Sequence, residues 1–72
     1  MRSNDYVRAA LTTAMHQQGE TLRSLGKKIG RSHNWVGIKL RGESVLDLDE
    51  AEQLCGALHL DLARLVKEAK SA

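Results

Sequence analysis

A glycine followed two residues later by a hydroxyl side chain occurs three times in this chain, at Gly19-Glu20-Thr21, Gly30-Arg31-Ser32 and Gly42-Glu43-Ser44. Glycine stops helices because it takes a left-handed backbone at little steric cost, and Thr or Ser starts the next one by accepting a hydrogen bond from its free N–H groups. With Gly42 as a third stop and Asp47 and Asp61 as later starts, this punctuation cuts the chain into about five helical pieces.

The first piece is expected from about Asn4 to Gln18, capped by Ser3 or Asn4, with Asp5 at its positive end. Val7, Leu11, Ala14 and Gln18 form its stripe, flanked by Ala10 and Met15. The second runs Leu22–Ile29, with Leu22, Leu25 and Ile29 on one face and Arg23, Lys27 and Lys28 away from it. The third runs His33–Arg41, with Val36 and Leu40 inward. The fourth opens at Asp47, where Asp47 and Glu50 read as an acidic capping box, and carries Ala51, Leu54, Cys55 and Leu58. His59 serves as its exit residue and interacts with the negative helix end. The last opens at Asp61 and carries Leu62, Leu65 and Val66, and residues 70–72 are expected to fray. No stretch alternates long enough to read as a strand.

The 72 residues suit one small domain with one core, since a chain this short buries about 60% of its unfolded surface. An enclosed substrate pocket is not expected. One cysteine excludes an internal disulfide. With no apolar run of roughly 20 residues and no signal-peptide core, the expected location is cytoplasmic, nucleoid-associated when bound to DNA. Two aromatic residues, Tyr6 and Trp35, are too few for the stacking platforms of single-strand binders. Duplex binding stays open. Charge is segregated: residues 1–42 carry eight Lys and Arg against two acids, a net +6, whereas residues 43–72 carry three against seven, a net −4. Such asymmetry suggests one side facing a polyanion.

Two short helices joined by a tight Gly-containing turn make the helix-turn-helix arrangement. Gly26 lies inside the first of them, at a cost of about 1 kcal/mol relative to Ala, which close approach of the third helix would justify. Thr21-Leu22-Arg23-Ser24-Leu25-Gly26-Lys27-Lys28-Ile29-Gly30-Arg31-Ser32 resembles the helix-turn-helix of the phage Cro and C1-repressor family (XRE-like). Val36-Gly37-Ile38-Lys39-Leu40-Arg41-Gly42 resembles the end of that family's recognition helix. Residues 54–62 are similar to its closing pair, and the resemblance covers roughly residues 19–66. It implies an all-α, compact five-helix domain of lambda-repressor-like DNA-binding fold. The helix-turn-helix would span about residues 21–41 and the closing helical pair about 47–69. The chain departs from the pattern at Leu22, where Gln is frequent, at Gly26, where Ala is usual, and at Gly37, where a polar residue is common.

The resemblance places the third helix in the major groove of double-stranded DNA. His33 and Asn34 then face base edges, Asn being suited to adenine and His33 to a guanine acceptor or a phosphate. Gly37 would admit close backbone approach and Ile38 a thymine methyl. Arg23, Lys27, Lys28, Arg31, Ser32, Lys39 and Arg41 would contact phosphates and set position. For His33 and Asn34 the alternative is a solvated first turn, and for Arg23 and Lys27 ordinary surface charge. Trp35 either packs partly against the second helix and its loop or meets a groove wall or second subunit.

Cys55 and His59 are four apart, but zinc needs three or four ligands and Cys55 lies on an apolar stripe, so it reads as a buried thiol. No metal or cofactor is expected. No nucleophile setting or phosphate loop appears, so the chain does not read as an enzyme. The expected function is a sequence-specific repressor of a phage or mobile element that blocks a promoter by occupying its operator. The alternatives are a controller of another system, such as an antitoxin or restriction-modification regulator, and a module of the same fold that binds a protein. All 72 residues would serve the DNA-binding domain, without an effector domain. A module of this kind covers about 600–1,000 Å² of DNA, so a homodimer is expected, in solution or only on the operator. Val45, Leu46, Leu62, Leu65 and Val66 are the expected dimer surface, with burial of Leu65 and Val66 in the monomer core as the alternative. No small-molecule ligand or membrane is expected.

Overall fold

Helix α1 spans Ser3–Gln17, α2 Leu22–Ile29, α3 His33–Arg41, α4 Leu48–Ala57 and α5 Leu62–Ser71. The computed structural model describes residues 2–71, among which there is no strand and no helix long and apolar enough to cross a membrane.

The helix starts follow from side-chain chemistry. Thr21 Oγ1 accepts from the Ser24 N–H at 3.1 Å while Ser24 Oγ accepts from the Thr21 N–H at 2.8 Å. Asp47 and Glu50 make the same reciprocal exchange at 2.8 and 3.0 Å. Ser32 Oγ accepts from the Trp35 N–H at 3.1 Å, and Asp61 Oδ1 from the Ala63 N–H at 3.0 Å. Each bond satisfies an amide that the helix itself leaves free. Helix α1 departs from expectation: Ser3 and Asn4 lie inside it, and Arg2 holds the cap position without a side-chain bond.

The helix ends share another device. Gly30 closes α2 in the left-handed region at φ +73°, and the Arg31 N–H reaches back to the Gly26 carbonyl at 2.8 Å. Helix α4 ends the same way without glycine, with His59 at φ +60° and the Leu60 N–H on the Cys55 carbonyl at 2.8 Å. His59 is thus an exit residue as read, but through its backbone.

Helix α1 packs against α3, α4 and α5, α2 lies against α3 and α4, and α4 meets α5. Their apolar stripes meet in one core, centred on the fully buried Leu11, Leu25, Val36, Leu54, Cys55 and Leu58. The radius of gyration, 11.1 Å, matches the roughly 11 Å of a compact chain of this length. Burial pushes the Cys55 thiol up, helped by the nearby Asp61 and Glu52 carboxylates, which keeps it protonated and unreactive.

Several expectations need correction. Gln18 does not extend the α1 stripe: the helix ends before it, and its Nε2 instead donates to the Leu58 carbonyl at 2.7 Å. Met15, expected to flank the stripe, is in the core. Helix α5 continues through Lys70 to Ser71 because Ala69 is anchored in the core, 3% exposed; Ala72 lies outside the described residues. Leu46, expected on a dimer surface, is a core residue; Leu65 takes the alternative of burial in the monomer core, and Leu62 and Val66 pack partly buried against that core. Val45 alone of that group is exposed, joined by Leu48.

Candidate nucleic-acid interface

Three residues, Gly30, Arg31 and Ser32, join α2 to α3, and the tightness of that turn rests on Gly26. A Cβ at Gly26 would lie 2.5 Å from the Arg31 carbonyl oxygen and 3.3 Å from the Ser32 carbonyl. The group pressing on Gly26 is therefore the backbone of the turn, not the third helix. A Cβ at Gly37 would lie 2.6 Å from an Arg41 guanidinium nitrogen and 3.3 Å from Leu22 Cδ1. Gly37 thus makes room for Leu22 at the start of α2.

This packing leaves an open concavity lined by Thr21, Arg23, Ser24, Lys27, Arg31 and His33. The lining holds three cations, an imidazole, two hydroxyl groups and no carboxylate. Among the described residues Arg23, Lys27 and Arg31 form no ion pair. All three, with His33 and Asn34, are exposed. An anionic oxygen entering the concavity would meet long-stemmed charges with no internal partner to displace.

The remaining residues expected at this surface divide into two groups. Ser32 is exposed; its oxygen accepts the Trp35 N–H, which leaves its O–H free to donate. Arg41 pairs with Glu43 in the open, both side chains about half exposed (53% and 55%). Lys28 pairs with Glu20. That ammonium, with the Ser24 hydroxyl, holds the Glu20 carboxyl below its ordinary value. Ile38 is half-buried.

Lys39 and Gly37 depart from their expected roles. Lys39 Nζ lies 2.9 Å from Glu50 Oε1 and donates to the Val45 carbonyl at 2.7 Å, and its side chain is 12% exposed. It ties α3 to the loop and start of α4, so its charge is already spent. The Asp47 N–H and this ammonium together hold the Glu50 carboxyl low. Gly37 is buried beneath Arg41 and against Leu22, so it offers no open backbone to an approaching base.

Arg8 and the stacking of cations on Trp35 escaped the sequence reading. Arg8 donates from Nε to the Lys39 carbonyl at 2.9 Å and from NH2 to the Ser44 carbonyl at 2.8 Å, and also pairs with Asp5 at 3.3 Å. It satisfies carbonyls at the end of α3 and in the loop beyond, fixing the α3 axis from α1. Trp35 is half-buried as read, and carries the Arg31 guanidinium 4.5 Å and the Lys39 ammonium 5.5 Å from its ring centre. The spacing of Arg31, Trp35 and Lys39, each four residues from the next, was the available signal.

Among the described residues no group of three or more His, Cys, Asp or Glu gathers to hold a metal ion. No family model, curated protein or solved structure matches this chain.

Proposed function

We propose that this chain is a sequence-specific duplex-DNA-binding regulator of the Cro/C1-repressor kind, with α2 and α3 as its helix-turn-helix. The observation that carries the reading is the concavity between α2 and α3, whose lining holds no carboxylate and where Arg23, Lys27 and Arg31, beside His33, form no ion pair among the described residues. In this reading those cations, with the Ser32 hydroxyl, hold the phosphate backbone. His33 and Asn34, exposed in the first turn of α3, meet base edges, and Ile38 lies one turn further along. Arg41 and Lys28 join by exchanging their carboxylate partners for phosphates. The protein acts by occupying its operator, as a binding protein and not an enzyme, in the cytoplasm.

The exposed pair Val45 and Leu48, 73% and 67% accessible, favours a partner surface there. In the regulator reading it joins two copies, on half-sites about 34 Å apart along the duplex. In the rival reading, a protein-interaction module, it takes a different protein. Selection from a random duplex library decides between them. The regulator yields a repeated or palindromic site bound about 10³-fold or more over random duplex. Enrichment of no site, with no duplex binding at low salt, overturns the regulator reading in favour of the protein partner.

A further inference from the structure

We propose that Trp35 is a positioning residue for DNA binding, whose ring holds the Arg31 guanidinium in place as a preset clamp for a phosphate oxygen. The inference rests on the DNA-binding reading above and names one device within it.

Arg31 is restrained at both ends. Its backbone lies against Gly26, close enough that the missing Cβ is required, and its N–H donates to the Gly26 carbonyl at 2.8 Å. Its guanidinium sits 4.5 Å over the Trp35 ring centre. Trp35 is in turn seated partly on the hydrophobic core, with its own N–H on Ser32 Oγ. An arginine in a three-residue turn would otherwise lose considerable side-chain entropy on gripping an anion. Contact with an aromatic ring removes part of that loss beforehand, and it occupies a π face of the guanidinium while leaving N–H edges for a phosphate.

The two cations on this ring have different fates. Lys39, at 5.5 Å, is neutralised by Glu50 and capped by the Val45 carbonyl. Arg31 has no carboxylate within ion-pair distance among the described residues and is exposed, lining the same concavity as Arg23, Lys27 and His33. The structure thus spends one charge on tying α3 to α4 and keeps the other free and oriented.

The test measures duplex affinity against salt for the wild type, Trp35→Leu, Trp35→Phe, Arg31→Ala and the Trp35→Leu/Arg31→Ala double variant. The expected result is that Arg31→Ala makes the log–log slope shallower by about 0.9, one phosphate's worth, while Trp35→Leu, which leaves the Arg31 charge in place, weakens binding severalfold at fixed salt. Trp35→Phe, which keeps a ring face, retains most of the wild-type affinity, and Trp35→Leu adds little further loss once Arg31 is Ala. An unchanged affinity in a folded Trp35→Leu, or an equal affinity loss in the Arg31→Ala background, would overturn the proposal, since a ring that merely packs acts independently of Arg31. The free wild-type chain supplies a readout that needs no variant: the Arg31 side-chain protons should show upfield ring-current shifts by NMR, and random-coil shifts contradict the stack. Absence of wild-type duplex binding would instead defeat the DNA-binding reading, leaving the NMR result to judge the stack.

Discussion

At the scale of single residues, two backbone positions decide how tightly the chain can turn. Gly26 is needed because the Arg31 carbonyl occupies the space a Cβ would take. Gly26→Ala improves helix propensity but forces the turn away, and should cost roughly 1–3 kcal/mol, the usual penalty of overpacking; urea denaturation followed by circular dichroism measures it. His59 shows the opposite case. It holds a left-handed conformation that costs an L residue about 1–2 kcal/mol, while a glycine there would loosen the unfolded chain by about 0.4–1 kcal/mol. His59→Gly should therefore raise stability by up to about 1 kcal/mol, seen as an increase in Tm. A lower Tm would mean that the His59 side chain contributes more than its backbone costs.

At the scale of helices, long-range polar ties set the position of α3. Removing the Arg8 guanidinium takes its donors from the carbonyls of Lys39 and Ser44, the first of which keeps only the longer bond from the Gly42 N–H at 3.4 Å, so Arg8→Ala should destabilise by roughly 1–3 kcal/mol in a denaturation series. The second tie is Lys39–Glu50. Glu50, held by the Asp47 N–H and Lys39, and Glu20, held by Lys28 and Ser24, both have carboxyl pKa values lowered on folding. A lowered folded pKa means that the unfolded chain binds the proton first. The stabilisation is complete above the unfolded carboxylate value of about 4.3 and is lost as pH falls through that value toward the folded one. Tm should accordingly fall below about pH 4.5, and Glu50→Gln should flatten part of that fall.

These ties also mark where the sequence stopped being legible. The bounds of α2 and α3 followed directly from Thr21, Gly30, Ser32 and Gly42, because caps and stops are local chemistry. The capping roles of Asp47 and Asp61 were equally plain. Arg8 was not, since its targets lie 31 and 36 residues away and any exposed-looking arginine on α1 reads as solvated. Lys39 looked like a free basic residue because nothing local indicates that Glu50 folds onto it. Leu46 reads as outward, and Leu65 stays open between a dimer surface and the core, because an apolar residue in a loop or final helix has no local mark that says which neighbour covers it.

At the scale of the whole molecule, the basic first part of the chain is not uniformly available to a polyanion. Arg8 and Lys39 are spent on structure, Lys28 and Arg41 have acidic partners, and Arg23, Lys27 and Arg31, at one concavity, form no ion pair among the described residues. The central claim is that this concavity grips duplex phosphates. It is tested most directly by fluorescence anisotropy of a labelled duplex across a salt series, comparing the wild type with Arg23→Ala/Lys27→Ala. Both residues are exposed on α2, so the double variant should keep its fold. The account predicts wild-type binding that weakens steeply with salt and a double variant whose slope is shallower by about 1.8, two phosphates' worth. Equal affinity and slope for the two proteins, or no duplex binding by the wild type at low salt, would contradict it.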